Sequence, residues 1–220
     1  MTKIVRLTSF GGWLNTYLLI GEKIIIVDTG YKKHYKKIIN YLKKYYPTKH
    51  VSLIILTHAH LDHYEHAHEI KSLLHVPILI HKVAEPYFRL GSNEPTEPIH
   101  MVSKIMKSIY YKKRITPVNP DIIIEKDTDL TTFGIDGLVL PTPGHTQGSL
   151  SVIVNKTDCL TGDLFINFGK KSAWFINSQQ DYLNSIEKLK SYNIQTVYPS
   201  HGRASKIVDF IDSKRSTKSI

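Results

Sequence analysis

Apolar and polar positions alternate in the early part of the chain with the periods of strands and then of a helix. Short apolar runs over 3–8, 14–20 and 23–27, separated by glycine-containing turns, predict three strands. Over 33–45, apolar residues recur every three or four positions among lysines, which predicts a helix with one buried face. The apolar run 51–56 predicts a buried strand, and a second helix is expected to end near Leu74.

The same two periods predict the elements of the rest of the chain. Strands are expected at 78–80, 121–125, 129–133, 136–140, 149–154, 157–161 and 195–198. Helices are expected at 179–191 and from about residue 204 onward. Strands and helices therefore alternate over most of the sequence.

Residues 82–120 break this regular order. They lose clear periodicity and contain the prolines Pro86, Pro95, Pro98, Pro117 and Pro120. A helix is predicted here only from about 99 to 111. Long connections of this kind are often functional, so we expect 82–120 to form an insertion or lid beside a site.

The composition is that of an ordinary folded protein. A chain of 220 residues, 41% hydrophobic and 22% charged, suffices for one domain with a substantial core, and we expect a single domain over 1–220. The single cysteine, Cys159, excludes an internal disulfide framework, and the N-terminal residues lack the apolar stretch of a secretory signal. No apolar run is long enough to span a bilayer. We therefore expect a cytoplasmic protein without a membrane segment.

The formal net charge of +10 comes largely from clusters of basic residues. These are Lys32, Lys33, Lys36 and Lys37, then Lys43 and Lys44, then Lys112, Lys113 and Arg114, and finally Lys170 and Lys171. Such an excess could attract nucleic acid or another anion. Lysines at helical spacing more often mark a face turned to water, and we favour that interpretation, so nucleic acid is not the expected partner.

Unusual polar residues follow the predicted strands. Asp28, the histidine-rich segment 58–63, His145, Asp163 and His201 each come just after one. Loops at strand ends meet at one edge of a sheet, so residues far apart in sequence can converge there. Imidazole nitrogen and carboxylate oxygen suit zinc and similar divalent ions. The pattern predicts a metal centre that has enough ligands for two ions.

Four motifs occur in a specific order: THAHLDH, PTPGHTQGS, TGDLF and YPSHG, with IIIVDTG upstream. Together they resemble the metallo-β-lactamase-fold hydrolases over about 2–204, least clearly in 82–120. The resemblance implies an α/β fold in four layers, an αββα sandwich of two mixed β-sheets flanked by helices. It also implies a metal-dependent hydrolase that acts on a small-molecule substrate.

The resemblance further implies which residues bind metal. One ion would be held by His58, His60 and His145, the second by Asp62, His63 and His201, with Asp163 bridging both. The expected cofactors are two divalent ions, zinc first, with manganese or iron as alternatives. A shared water between them would become hydroxide, the expected nucleophile. Asp62 is the expected catalytic residue, which orients the hydroxide and passes a proton to the leaving group.

Several neighbouring residues leave alternatives open. Asp28 either supports the metal loop, as the family's buried aspartate does, or simply forms a turn. Glu65 and His66 occupy positions where most relatives have glycines, and we expect them on the helix surface. Lactonases of this fold place a tyrosine three residues beyond the bridging aspartate, where this chain has Ile166. Another of the thirteen tyrosines, such as Tyr17 or Tyr64, would have to replace it.

The family includes several activities, and the sequence narrows them. Only 19 residues follow His201, which leaves little room for the extension that binds glutathione in hydroxyacylglutathione hydrolases. Flavodiiron proteins carry a glutamate where this chain has His60, and secreted β-lactamases need an export signal. We therefore expect cleavage of a small ester, thioester or lactone by the metal-bridging hydroxide.

Two other functions stay open at this point. A phosphodiesterase related to the tRNA-processing ribonucleases would share the segment His-Ala-His-Leu-Asp-His and would use the positive charge on nucleic acid or another phosphoester. A basic binding module with structural metal is a third hypothesis, but structural zinc is normally closed by four ligands. The sequence leaves the oligomeric state unknown.

Overall fold

The computed structural model describes residues 1–46, 51–99, 113–168 and 173–212. Its strands are β1 Lys3–Ser9, β2 Leu14–Ile20, β3 Ile24–Val27, β4 Val51–Ile55, β5 Ile78–His81, β6 Ile122–Ile124, β7 Thr128–Asp129, β8 Gly137–Pro141, β9 Leu150–Val154, β10 Asp158–Leu160, β11 Ile166–Asn167, β12 Thr196–Tyr198, β13 His201–Gly202 and β14 Ser205–Lys206. Its helices are α1 Lys32–Tyr45, α2 Leu61–Tyr64, α3 Ala67–Leu74, α4 Glu85–Leu90, α5 Gln179–Ser191 and α6 Val208–Asp212. Short 3-10 turns lie at Phe10–Gly12, Lys82–Ala84 and Thr131–Phe133.

The strands form two mixed sheets. The first has the order β11–β13–β2–β3–β4–β5–β6, and β1 pairs antiparallel with β2. Within it β3, β4, β5 and β6 are parallel, so their carboxyl ends lie at one edge. The second sheet has the order β14–β12–β10–β9–β8–β7, with only β10 and β12 parallel among the described strands.

Neighbouring residues of a strand point to opposite faces, and this divides the first sheet between two cores. In β3, Ile24 and Ile26 belong to the core that includes Ile38 of α1, whereas Ile25 and Val27 belong to the core between the two sheets. The continuous apolar run of β3 is thus explained by burial on both faces.

A third core covers the outer face of the second sheet. Cys159 of β10 and Val197 of β12 pack there with Tyr182, Ile186 and Leu189 of α5. The layers therefore follow the order helix, sheet, sheet, helix, which confirms the predicted αββα sandwich. Cys159 is a buried core residue, 0% exposed.

Most predicted elements are confirmed, but two are wrong in part. The strand expected at 129–133 ends at Asp129, whose Oδ1 accepts a hydrogen bond from the Thr131 backbone N–H at 2.7 Å. This bond starts a 3-10 turn, which Gly134 closes at φ 81°. The helix expected from residue 204 begins only at Val208, because Ser205–Lys206 pairs with β12 as a strand.

The described parts of the predicted insertion are folded against the first sheet. Phe88 of α4 and Val118 are buried in the core on its helix side. The helix predicted over 99–111 lies outside the described residues except for residue 99, which is not helical. Within the described ranges, no helix has the length and hydropathy that crossing a membrane requires.

Candidate metal centre

The seven predicted ligands lie together where strands of both sheets end. The segment after β4 and the short helix α2 supply four, and the loops after β8 and β10 and the strand β13 supply three. In chain order they are His58, His60, Asp62, His63, His145, Asp163 and His201. They form three overlapping groups, each with its ligand atoms within 4.8 Å of one another. The structure therefore brings together every ligand that the sequence predicts.

His58, His60 and His145 form the first group. The Nε2 atoms of His58 and His145 lie 3.0 and 3.1 Å from Nδ1 of His60. On its other side His60 donates from Nε2 to the Glu94 carbonyl at 3.0 Å, and His145 donates from Nδ1 to the Phe175 carbonyl at 3.1 Å. Because a carbonyl only accepts, each neutral ring carries its proton there and turns a lone pair toward the group.

His58 is oriented in the same way by a hydroxyl group. The Thr57 hydroxyl donates to Asp28 at 2.9 Å, so it accepts from Nδ1 of His58 at 3.0 Å. Three imidazole lone pairs then face one another at the distances just given. Lone pairs in this arrangement repel one another, and a cation at their meeting point removes the repulsion.

Asp62, His63 and His201 form the second group. Nε2 of His201 lies 3.3 Å from Oδ2 of Asp62, and Nε2 of His63 lies 3.6 Å from the same oxygen. The Nε2 atom of His63 is buried and makes no hydrogen bond with the described residues. Buried polar atoms in folded proteins nearly always have a partner, so this atom fits a metal ligand.

Asp163 lies between the two groups. Its Oδ2 is 3.7 Å from Nε2 of His145 in the first group and 3.4 Å from Nε2 of His201 in the second. Its Oδ1 is 3.5 Å from Nε2 of His63, is buried, and has no hydrogen-bond partner among the described residues. This position is the one expected of a bridging carboxylate.

Asp28 supports the second group through a hydrogen bond to the far side of the His63 ring. Its Oδ2 accepts from Nδ1 of His63 at 2.8 Å and from the Ser200 hydroxyl at 3.3 Å, and its Oδ1 accepts from the Thr57 backbone N–H at 2.8 Å. The residue has a φ of 59°, in the left-handed region that few non-glycine residues adopt. Of the two alternatives that the sequence left open, these contacts favour the supporting role.

Residues 94–96 of the predicted insertion supply contacts that the sequence did not predict. The Glu94 backbone N–H donates to the Ala59 carbonyl at 2.8 Å, and its Oε1 accepts from the Gly148 backbone N–H at 2.6 Å. The Thr96 hydroxyl donates to the His145 carbonyl at 2.7 Å. These buried contacts tie the loop of the first histidines to the loop of His145, so Glu94 and Thr96 are positioning residues.

Burial controls the pKa values of the first group. It lowers the pKa of His58 well below the usual range, lowers the pKa of His60 to about 3, and lowers the pKa of His145. Without metal, these three imidazoles are therefore neutral at pH 7 and their lone pairs are available.

Carboxylates dominate the pKa values of the second group. Burial opposes a charged imidazole, but Asp163 and Asp62 outweigh it and raise the pKa of His201 to about 9. Burial likewise opposes a charged His63, yet the same carboxylates raise its pKa well above the usual range. The two histidines in turn hold the pKa values of both aspartates below their usual range, against the effect of burial.

A cavity of about 320 Å³ opens in front of the ligands. Five ligands line it: His60, Asp62, His145, Asp163 and His201. Most of the remaining lining residues are aromatic: Phe10, Trp13, Tyr31, Trp174 and Phe175. No lysine or arginine of the described chain lines it. We call this space the metal-lined cavity.

Trp13 links the aromatic wall to the ligands. Its ring centroid lies 5.3 Å from that of Trp174 and 5.1 Å from that of His201, and its carbonyl accepts from Nδ1 of His201 at 3.0 Å. The sequence analysis missed these aromatic residues. The glycine pair before Trp13 and the adjacent aromatic pair Trp174-Phe175 are the signals that could have indicated them.

The tyrosines proposed as replacements for the lactonase tyrosine are not at the site. The hydroxyl of Tyr17 donates to the Pro199 carbonyl at 2.6 Å, and that of Tyr64 donates to the Ser92 carbonyl at 2.7 Å. Both side chains are buried in the cores and neither lines the metal-lined cavity. The idea that either one replaces the missing tyrosine is therefore wrong.

Glu65 and His66 also lie away from the metal-lined cavity, as expected. Glu65 forms an ion pair with Lys113 at 2.5 Å, and the His66 ring lies 5.4 Å from that of Tyr35 on α1. The side chains at these two positions therefore form no part of the cavity wall.

A two-sheet αββα fold with a His/Asp cluster at its strand ends fits the class of metal-dependent hydrolases. A family model described as the metallo-β-lactamase superfamily matches residues 14–201, and the chain belongs to that superfamily. The chain is 27% identical to a probable metallo-hydrolase of Methanocaldococcus jannaschii, over 90% of this chain and 92% of that protein. It is 30% identical to the probable metallo-hydrolase YqgX of Bacillus subtilis, over 86% of this chain and 84% of that protein.

Solved structures show the same fold. The crystal structure of the B3 metallo-β-lactamase BLEG-1 superposes with a TM-score of 0.71 at 24% identity, covering 96% of this chain and 97% of that chain. The protein is thus a metal-dependent hydrolase of the metallo-β-lactamase superfamily, and the His/Asp cluster is its candidate metal centre.

Proposed function

We propose that this metallo-hydrolase is binuclear and cleaves a small ester, thioester or lactone. The observation that carries the proposal is the metal-lined cavity, where aromatic walls surround the predicted ligands and no described lining residue is a lysine or arginine. Five imidazoles and two carboxylates suit zinc, which we propose as the native metal, although manganese or iron also binds such sets.

Different residues of the chain have different roles at this centre. The first three histidines and the second group would each hold one ion, with Asp163 shared. Two divalent ions, when bound, lower the pKa of water toward neutrality and polarise a carbonyl oxygen. The histidines contribute by keeping their lone pairs turned to the ions, since the carbonyls of Glu94, Phe175 and Trp13 fix three of the rings.

Asp62 is the proposed proton carrier. Its side chain is 26% exposed and lines the metal-lined cavity, whereas the side chains of His63, Asp163 and His201 are at most 7% exposed. A carboxylate that reaches the cavity can take a proton from the attacking water and donate it to the leaving oxygen or sulfur. Its low pKa keeps it ionised at neutral pH.

The walls favour attack on a carbonyl over attack on a phosphodiester. Phe10, Trp174 and Phe175 present apolar surface to the substrate. Such surface stabilises an apolar acyl group and excludes water from the reacting bond. A nucleic-acid strand would instead require lysines or arginines along its path through the cavity, and none of the described lining residues is either.

A substrate panel tests this proposal. Protein loaded with zinc, manganese or iron in separate samples would be given a butyryl thioester, p-nitrophenyl butyrate, a γ-lactone and bis-p-nitrophenyl phosphate. We expect two metal ions per chain by elemental analysis and faster turnover of a carbonyl substrate than of the phosphodiester. Faster turnover of the phosphodiester would overturn the proposed substrate class.

Variants test the two-metal centre itself. The double variant Asp62→Ala/His63→Ala removes two proposed ligands of the second ion, and we expect it to lose nearly all turnover. The matched control is His68→Ala, because His68 is an exposed histidine of α3 outside the cluster. Full turnover by the double variant would exclude a binuclear mechanism.

A further inference from the structure

A second cavity, of about 670 Å³, adjoins the metal-lined cavity and differs from it in charge. Four basic side chains line it: Arg6 of β1, Lys33 and Lys37 of α1, and Arg203 after β13. No acidic residue of the described chain is among its lining residues. We call it the cationic cavity.

The basic residues of this cavity are not paired with carboxylates. Arg6 donates to the Gly202 carbonyl at 3.4 Å, Lys37 donates to the Thr8 carbonyl, and Lys33 lies 4.8 Å above the Phe10 ring. Within the described ranges none of the four makes an ion pair. Lysines elsewhere do: Lys71 binds Asp121 at 2.7 Å and Lys188 binds Asp127 at 2.6 Å.

This contrast separates the cationic cavity from an ordinary solvated face. Like charges on one concave surface repel each other and cost stability unless an anion is bound there. Lys33 and Lys37 are exposed, as the lysine spacing predicted, but both face the same cavity as two arginines from other elements. Lysine and arginine together suit a phosphate group, to which both donate charge-assisted hydrogen bonds.

The cationic cavity lies directly beside the metal centre. Phe10 lines both cavities. Gly202 and Arg203, which line the cationic cavity, immediately follow the ligand His201. Phe168 of the cationic cavity also packs against Trp13 of the metal-lined cavity, with ring centroids 4.5 Å apart. A single molecule can therefore extend from one cavity into the other.

We propose that the cationic cavity binds a phosphate group of the substrate while the metal-lined cavity holds the bond that is cleaved. The proposal rests on the proposed function and narrows its substrate class. It predicts an ester or thioester with an apolar acyl group on one side of the bond and a phosphate on the other. The basic residues that bind the phosphate of such a substrate would then lie outside the cavity in which the bond is cleaved.

Binding of matched probes tests the phosphate site independently of turnover. The probes are the S-butyl thioethers of pantetheine and 4′-phosphopantetheine, which differ by one phosphate and contain no cleavable thioester. Calorimetry with the metal-loaded protein should show about tenfold tighter binding of the phosphorylated probe, the effect of one or two charge-assisted contacts. Salt should weaken this preference, because the basic groups are exposed. Equal binding of both probes would overturn the proposal.

Two double variants assign the preference to the cavity. Lys33→Gln/Arg203→Gln removes two of its charges, and the preference for phosphate should fall to near unity. Lys36→Gln/Lys206→Gln removes the same total charge from exposed positions outside the cavity and should keep the preference. An equal loss in both double variants would mean general attraction by net charge, and an unchanged preference in the first would place the phosphate on the metal centre. Either result would overturn the proposal.

Turnover of the butyryl thioesters of the same two thiols separates the two proposals. If neither is cleaved but the phosphorylated thioether binds more tightly through Lys33 and Arg203, the proposed function fails and the phosphate site stands. If both are cleaved and the thioethers bind equally, the hydrolase stands and the phosphate site fails.

Discussion

The metal-lined cavity and the cationic cavity share Phe10 but have opposite chemistry. The first combines aromatic walls with histidines and aspartates, and the second carries four basic side chains and no acidic one among its described lining residues. Among the described residues, lysines and arginines therefore line the cavity beside the predicted ligands and not the one that holds them.

The difference has an electrostatic reason. The two divalent ions that we propose would bring a large positive charge, and lysines or arginines among their ligands would repel them. The predicted ligand set instead contains two ionised aspartates and the neutral imidazoles of His58, His60 and His145, which attract cations. The basic residues lie instead in the neighbouring cavity, where they can bind an anion. Two separate cavities therefore allow the chain to bind cations in one and an anion in the other.

The largest predicted effect comes from Asp163, which belongs to the metal-lined cavity alone. Asp163→Asn removes the charge shared by the two ligand groups, so we expect turnover to fall by roughly a thousandfold, which is several kcal/mol of transition-state stabilisation. Elemental analysis should show fewer bound ions, while far-UV circular dichroism stays unchanged. Normal metal content with normal turnover would contradict the bridging role.

The next largest predicted effect is a pH dependence of stability that is due to His34. This residue lies behind the wall of the cationic cavity. It is 0% exposed, and its Nε2 lies 2.7 Å from the hydroxyl of Ser9, a lining residue, and 3.0 Å from the Leu14 carbonyl. Burial lowers the pKa of His34 to about 4, below its ordinary value near 6.5. The folded state therefore binds fewer protons than the unfolded state, and the stability due to neutral His34 is lost as pH falls from 6.5 toward 4.

Between pH 7.5 and pH 5 this loss should be about 2 kcal/mol in the free energy of unfolding. Urea denaturation of metal-free protein at both pH values measures it, since metal loss then affects neither sample. His34→Gln should lack this component, whereas His68→Gln, at an exposed position, should keep it. The same pH dependence in both variants would show that His34 is not the cause.

Trp13 should affect the choice of acyl group. Trp13→Ala removes a large apolar wall beside Trp174, so kcat/KM for a butyryl thioester should fall about tenfold more than for an acetyl thioester. Trp13→Phe keeps an aromatic ring, so its kcat/KM for the butyryl thioester should fall less. Both variants retain the backbone carbonyl that binds His201. An equal decrease for both acyl groups would mean that Trp13 acts only through His201.

The smallest predicted effect comes from Thr96. Thr96→Val keeps the shape but removes the buried hydroxyl that donates to the His145 carbonyl, which should cost about 1 kcal/mol of stability and a few-fold in kcat. Thr131→Val is the control, because its hydroxyl binds the exposed side chain of Asp129. Equal costs in the two variants, measured by urea denaturation, would contradict a positioning role for Thr96.

Local sequence patterns were sufficient to predict most strands of both sheets and all seven residues of the cluster. Burial on one or both faces determines the period of each strand, and the ligands follow strands directly, so neighbouring residues carry the signal. The strand expected at 129–133 was wrong because Asp129 binds the Thr131 backbone, a local competition that apolar periodicity does not record. The late start of the last helix has a tertiary cause, the pairing of Ser205–Lys206 with β12.

By itself the sequence determined the fold, the ligand types and their order, since these depend on periodicity and on motifs read along the chain. Only the tertiary structure decided how the surfaces beside the ligands are built. Trp13 meets Trp174, and Lys33 shares a cavity with Arg203, although each pair is widely separated in sequence. Such pairs form through the packing of distant loops, and their chemistry therefore appears only when both sheets are assembled.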